Sequence, residues 1–243
     1  MRARLRIVAR LAAFVLVLLV CVTLYYAWRL LPGANPWPRR FLGTCARITG
    51  ARPRSVGRPA GDGTVFLANH VSWLDILVLA GASGTAFVAH SGLATHKPLK
   101  WLCDMNRTVF IARDDRGRVA EQVEQVRAAL RQSGSLTIFP EGTTSDGTGL
   151  LPFKSALLSA LEPPAPGMAV QPVWIDYGAA RADAAWVGDD PGGAHVLRTL
   201  ARPGSFPVAV HFLEPLDPAA FASRKAIAAE ARARIAAAMA ARV

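Results

Sequence analysis

The residues whose types and spacing best suit chemistry are Asn69-His70-Val71-Ser72-Trp73-Leu74-Asp75, which place an imidazole and a carboxylate five positions apart. The apolar run Thr64-Val65-Phe66-Leu67-Ala68 before them reads as a buried strand. Ser72 with Asp75 three places on has capping-box spacing and predicts a helix over 72–81. His70 then sits at the mouth of a strand-to-helix loop, and Asp75 lies in the first turn, within reach of the ring. A histidine held by a carboxylate is an oriented general base: the carboxylate fixes the tautomer and stabilises the imidazolium that forms. A plainer reading of the same residues has Asp75 capping backbone N–H groups and His70 as a polar loop residue.

Strands are expected at 64–68, 85–89, 108–111, 135–139, 169–175 and 207–213. Helices are expected between them at 72–81, 97–104, 117–132, 153–161 and 218–241. This alternation predicts an α/β fold, a largely parallel sheet flanked by helices. In such sheets, loops at the carboxyl ends of strands hold the site. The polar clusters fall there: Asn69-His70 after one strand, Arg113 after another, and Pro140-Glu141-Gly142-Thr143-Thr144-Ser145 after a third.

The 243 residues suffice for one sizeable core with appendages, and the chain is 52% hydrophobic with a formal net charge of +11. Eleven arginines precede Asp62, the first acidic residue, an asymmetry that suits an anionic membrane surface or a nucleic acid. Leu11 to Trp28 is an uncharged, mostly apolar segment between Arg10 and Arg29, and with its flanks it is long enough to cross a bilayer core of about 30 Å. No A-x-A site follows it, which argues against a cleaved signal peptide. Residues 1–31 are therefore expected to form a membrane-anchoring helix, with spanning and re-entrant placements both open. Residues 32–62, rich in Pro, Gly and Arg, read as a basic connector, and 63–243 as the catalytic domain. The tail from Ala219 reads as an amphipathic helix, packed on the domain or lying on a membrane surface. Cys21, Cys45 and Cys103 lack the spacing of a disulfide framework or a zinc site. The apolar run and the lack of any nucleic-acid motif weigh against a nucleic-acid binder, and no G-x-x-x-x-G-K-[ST] loop is present.

Four blocks in order carry a resemblance: Asn69-His70 with Asp75 (N-H-x4-D), Phe110-Ile111-Ala112-Arg113 (F-I-x-R), Phe139-Pro140-Glu141-Gly142-Thr143-Thr144-Ser145 (F-P-E-G-T-x-S) and Val170-Gln171-Pro172-Val173 (V-x-P-V). Spread over residues 64–175, they resemble the glycerolipid acyltransferase family, the PlsC-like lysophospholipid acyltransferases. The resemblance implies transfer of a fatty acyl group from an acyl thioester, on acyl carrier protein or coenzyme A, to the free hydroxyl of a lysolipid. His70 would take the hydroxyl proton and Asp75 would orient it, with no acyl-enzyme, no metal and no cofactor beyond the thioester. Arg113, Glu141, Gly142, Thr143 and Lys154 would bind the acceptor. For Arg113 a surface ion pair with Asp114 or Asp115 is the alternative, for Gly142 a plain strand-ending turn, and for Lys154 a surface lysine. The enzyme would sit on the cytoplasmic membrane with its catalytic domain facing the cytoplasm, and no nucleic-acid partner is expected.

The implied acceptor is of 1-acyl-sn-glycerol-3-phosphate type, giving phosphatidate. Two departures bear on it. Arg107 stands where the family usually has glycine, and Thr144 stands where phosphatidate-forming members usually have arginine. The run from Glu141 to Gly147, followed by Leu151-Pro152-Phe153-Lys154, resembles the branch that acylates lyso-ornithine lipid, which is the alternative acceptor.

Overall fold

The computed structural model describes residues 1–111 and 119–241. Seven strands form one sheet: β1 (Ala51–Val56), β2 (Thr64–Ala68), β3 (Ala86–His90), β4 (Val109–Ile111), β5 (Ser135–Ile138), β6 (Ala169–Asp176) and β7 (Phe206–Phe212), in the order β1-β7-β6-β2-β5-β3-β4. Every neighbouring pair is parallel except β6 with β7. Strand β2 lies at the centre and all its residues are buried, as expected of a strand with helices on both faces.

The helices are α1 (Arg2–Trp28), α2 (Trp37–Thr49), α3 (Leu74–Ser83), α4 (Lys97–Met105), α5 (Val119–Ser133), α6 (Arg181–Ala184), α7 (Gly192–Ala201) and α8 (Arg224–Ala240). One core cluster joins α2 and α3 to the sheet through Ala46, Leu74, Val78, Phe66 and Val210. A second, on the other face, joins α5 and α8 through Val126, Leu130, Ile227, Leu67 and Ile138. Helix α3 crosses α2 where Gly43 meets Gly81. A Cβ on Gly81 would lie 2.6 Å from the Gly43 Cα, so only two glycines allow this backbone contact. That close crossing fixes α3, the helix that carries Asp75.

The strands and helices expected from residue 64 onward lie within a few residues of those observed. Three differences stand out. The stretch 153–161 is a 3-10 helix, Ser155–Leu161, rather than an α-helix. The tail divides into a 3-10 turn, Pro218–Ala220, and α8. Residues 32–62, expected as a connector, instead hold α2 and β1. Strand β1 is an edge strand with one buried residue, so it needs no apolar run and tolerates Pro53.

Helix α1 is long and apolar enough to cross a membrane. It is also bound to the domain near both ends. The Arg10 guanidinium donates to the carbonyls of Thr199, Leu200, Arg202 and Gly204, and Arg6 Nε donates to Ala201 O. These carbonyls close α7, where a cation suits the negative end of the helix dipole. At the other end, Trp101 Nε1 of α4 donates to the Tyr26 hydroxyl and Asn35 Nδ2 donates to Tyr25 O.

Candidate active site

Three adjacent parallel strands, β6, β2 and β5, end side by side, and their carboxyl-end loops build the site. Asn69 leaves β2 and clasps β6: its Oδ1 accepts the Ile175 N–H at 2.7 Å and its Nδ2 donates to Ile175 O at 3.1 Å. The loop after β5 then holds both backbone polar groups of His70. Glu141 Oε1 accepts the His70 N–H at 2.8 Å, while His70 O accepts from the Ser145 N–H at 2.8 Å and from Ser145 Oγ at 3.1 Å. The imidazole lies stacked on Phe139, with centroids 4.0 Å apart and planes 13° apart.

Asp75 is fully buried, and its carboxylate is saturated. Oδ2 accepts from His70 Nδ1 at 2.8 Å, from the Val71 N–H at 2.7 Å and from the Ser72 N–H at 2.9 Å; Oδ1 accepts the Tyr177 hydroxyl at 2.6 Å. Asp75 therefore both caps backbone amides and orients the histidine, so the two readings of its sequence position are one arrangement. The capping box differs from expectation. Helix α3 starts at Leu74, and Ser72 Oγ is buried without a partner among the described residues. The carboxylate reaches back over the chain instead.

With Nδ1 donating to Asp75, Nε2 carries the lone pair. The side chain keeps 17% of its exposure, and among the described residues Nε2 has no hydrogen-bond partner. The Tyr177 phenol is held well above its usual range by burial and by the Asp75 charge, so it stays a donor. Burial also raises the Glu141 carboxyl, which the His70 and Leu151 N–H groups partly counter. Burial pushes the Cys103 thiol up and the Cys45 thiol up to about 12, so neither offers a thiolate. A fixed imidazole with one free lone pair can take a proton from a hydroxyl brought to it.

A family model described as Acyltransferase matches residues 51–176, more than half of the chain. The chain belongs to that acyltransferase family. It is 34% identical to a lyso-ornithine lipid O-acyltransferase of Rhodobacter capsulatus, over 95% of this chain and 88% of that protein. It is 38% identical to a 1-acyl-sn-glycerol-3-phosphate acyltransferase of Neisseria gonorrhoeae, over 47% of each chain. The crystal structure of the 1-acyl-sn-glycerophosphate (LPA) acyltransferase PlsC from Thermotoga maritima shares the fold, with a TM-score of 0.69 at 20% identity over 99% of this chain and 97% of that one.

The acyltransferase brings His70, Asp75, Glu141, Gly142 and Lys154 into one loop cluster. Both Glu141 oxygens are spent on backbone, Oε1 on His70 and Oε2 on the Leu151 N–H at 3.0 Å. The Gly142 N–H donates to Phe139 O at 3.1 Å, the bond of a strand-ending turn. The exposed Lys154 chain lies over Gly142, where a Cβ would come within 3.0 Å of Nζ. Thr143 is exposed, and Thr144 Oγ1 donates to Trp186 O. Arg113 lies outside the described residues.

Tyr177, Ser145 and Asn69 are site residues that sequence reasoning did not single out as such. Ser145 and Asn69 stood inside recognisable blocks. Tyr177 carried one usable signal: it follows the apolar run of β6 at the sheet edge where sites form.

Proposed function

We propose that this acyltransferase moves a fatty acyl group from a thioester to the hydroxyl of lyso-ornithine lipid, giving ornithine lipid. The resemblance to the Rhodobacter capsulatus enzyme over nearly the whole chain carries this choice of acceptor. Further enzymes of the same name from Brucella abortus and Rhizobium meliloti match 80% and 92% of the chain. The local chemistry agrees. At Thr144, where an arginine would add a cation for a phosphate, a neutral side chain is tied to a backbone carbonyl. An amino-acid head group carries one carboxylate and its own ammonium, so it needs fewer protein cations than a phosphate.

In this reading His70 Nε2 removes the acceptor's hydroxyl proton as the oxygen attacks the thioester carbonyl. The imidazolium is stabilised by Asp75, whose own charge is spread over three further donors. The tetrahedral intermediate then expels the thiolate, which takes the proton from His70. Lys154 and Arg113 supply the cations for the head-group carboxylate.

In this reading helix α1 anchors the enzyme to a bilayer. A helix of 27 residues is about 40 Å long, and its contacts from Arg6 to Tyr26 bind it lengthwise to the catalytic domain. If it crossed the membrane, the bound domain would have to enter the hydrocarbon with it. Its outward side carries Leu5, Val8, Leu11, Val15, Leu16 and Leu19, all exposed. That pattern suits a helix lying in one leaflet with the domain on the same side.

The deciding experiment offers purified enzyme in mixed micelles lyso-ornithine lipid and lysophosphatidate side by side, with acyl carrier protein or coenzyme A thioesters as donor. Faster acylation of lyso-ornithine lipid is expected. Equal or faster turnover of lysophosphatidate would overturn the acceptor, and His70→Ala retaining full activity would overturn the mechanism.

A further inference from the structure

The opposite edge of the sheet holds a second feature. A cavity of about 560 Å³ is lined by residues from the carboxyl end of α1 and the turn after it, from the start of α2, and from the connections that precede β3, β4 and β5. These strands run parallel to β2, so the cavity sits at their amino ends, one strand length from His70, roughly 15 Å.

Among the described residues its lining contains Arg29, Arg39 and Arg107 and no carboxylate. Arg39 is braced by donating to the carbonyls of Gly81 and Ala82, and Arg107 by donating to Gln132 O. Each keeps further N–H groups beyond those bonds. Arg107 is the only non-glycine residue among those described with positive φ, at 57°. A left-handed backbone explains why glycine is usual at this position, and here it carries a cation to the cavity wall. Arg39 and Arg107 also offset the negative carboxyl ends of α3 and α5, and with Arg29 they leave N–H groups that could donate to an anion in the cavity.

We propose that this cavity binds the phosphate of an anionic lipid head group, apart from the catalytic centre. The assignment to a lipid rests on the reading of α1 as a bilayer-embedded helix. Tyr25, Trp28 and Arg29 stand at the end of that helix, where aromatic rings and cations meet head groups. An occupied cavity would tie α1 and α2 to the sheet edge and hold the domain at a fixed attitude to the membrane.

The test uses the full chain and three kinds of vesicle: phosphatidylcholine alone, with phosphatidylglycerol, and with the phosphate-free anion cholesteryl hemisuccinate at matched charge. Arg29→Gln/Arg107→Gly is compared with Arg54→Gln/Lys225→Gln, which removes two exposed cations elsewhere. Wild type is expected to favour phosphatidylglycerol over both other vesicles. The cavity variant should lose roughly tenfold of that preference, at several-fold per interfacial cation, while the control keeps it. Equal losses in the two variants, or an equal gain from hemisuccinate, would overturn the site. Abolition of the preference by millimolar inorganic phosphate would assign the cavity to a soluble phosphate and overturn the lipid. Failure of wild type to bind phosphatidylcholine vesicles would overturn the anchoring of α1 and this proposal with it. Binding that is blind to the cavity variant would overturn the proposal alone.

Discussion

The two edges of the sheet handle charge in opposite ways. At the carboxyl edge every buried charge has fixed partners: Asp75 accepts four hydrogen bonds and Glu141 two. At the amino edge three arginines line one cavity with no carboxylate among the described residues. The first arrangement spends its electrostatics internally and leaves one atom, His70 Nε2, to act. The second spends part of its charge on the carbonyls of Gly81, Ala82 and Gln132 and leaves the rest facing an open cavity. Proton transfer needs the former, whereas the latter holds cations with no titrating base beside them, so the contrast separates the chemistry of the two edges.

The sharpest way to break this contrast is His70→Ala. It should lower kcat by at least about a hundredfold and lower stability by about 1–2 kcal/mol in urea titrations without preventing folding, because the ring is the proton acceptor and also stacks on Phe139 and donates to Asp75. Glu141→Gln comes next. An amide cannot accept from both the His70 and Leu151 N–H groups, so stability should fall by about 1–3 kcal/mol in urea titrations, with kcat reduced by roughly tenfold. Its pH dependence has a definite sign. Burial raises the Glu141 carboxyl above the ordinary 4.5, so its contribution is fully present below that value and is lost as pH rises through the raised one. The variant's unfolding midpoint should therefore fall less than wild type's over that window.

Tyr177→Phe probes the far side of Asp75. Removing one of four donors should cost about 1 kcal/mol of stability and lower kcat several-fold with KM unchanged, in steady-state kinetics at saturating donor. The smallest effect is expected from Arg107→Gly. Relief of the left-handed backbone and the added freedom of the unfolded chain offset, so stability should stay within about 0.5 kcal/mol by thermal unfolding, with kcat untouched. A large loss of activity there would erase the division between the edges.

How much of this was legible in sequence depends on whether a residue's partner lies nearby in the chain. His70 with Asp75, and the run from Phe139 to Ser145, are local patterns, and strand β2 declares itself by an unbroken apolar run. Tyr177 meets Asp75 across 102 positions, and Asn69 meets Ile175 across 106, through the pairing of β6 with β2, which no local pattern encodes. Strand β1 was hidden because an edge strand beside β7 does not need hydrophobicity. Helix α2 was hidden because arginines on its outer side and an opening proline disguise its period. The purpose of Arg107 was hidden because a left-handed backbone is a conformation, and the letter R does not announce it.

The Arg10 clamp has a consequence for handling the molecule. The arginine that begins the greasy segment also closes α7, the helix that leads directly into β7. Trimming the first 31 residues to obtain a water-soluble enzyme would strip the lid from those carbonyls and uncover the flank of α2. What looks like a detachable tether doubles as scaffolding, and a shortened chain should be looser as well as more soluble.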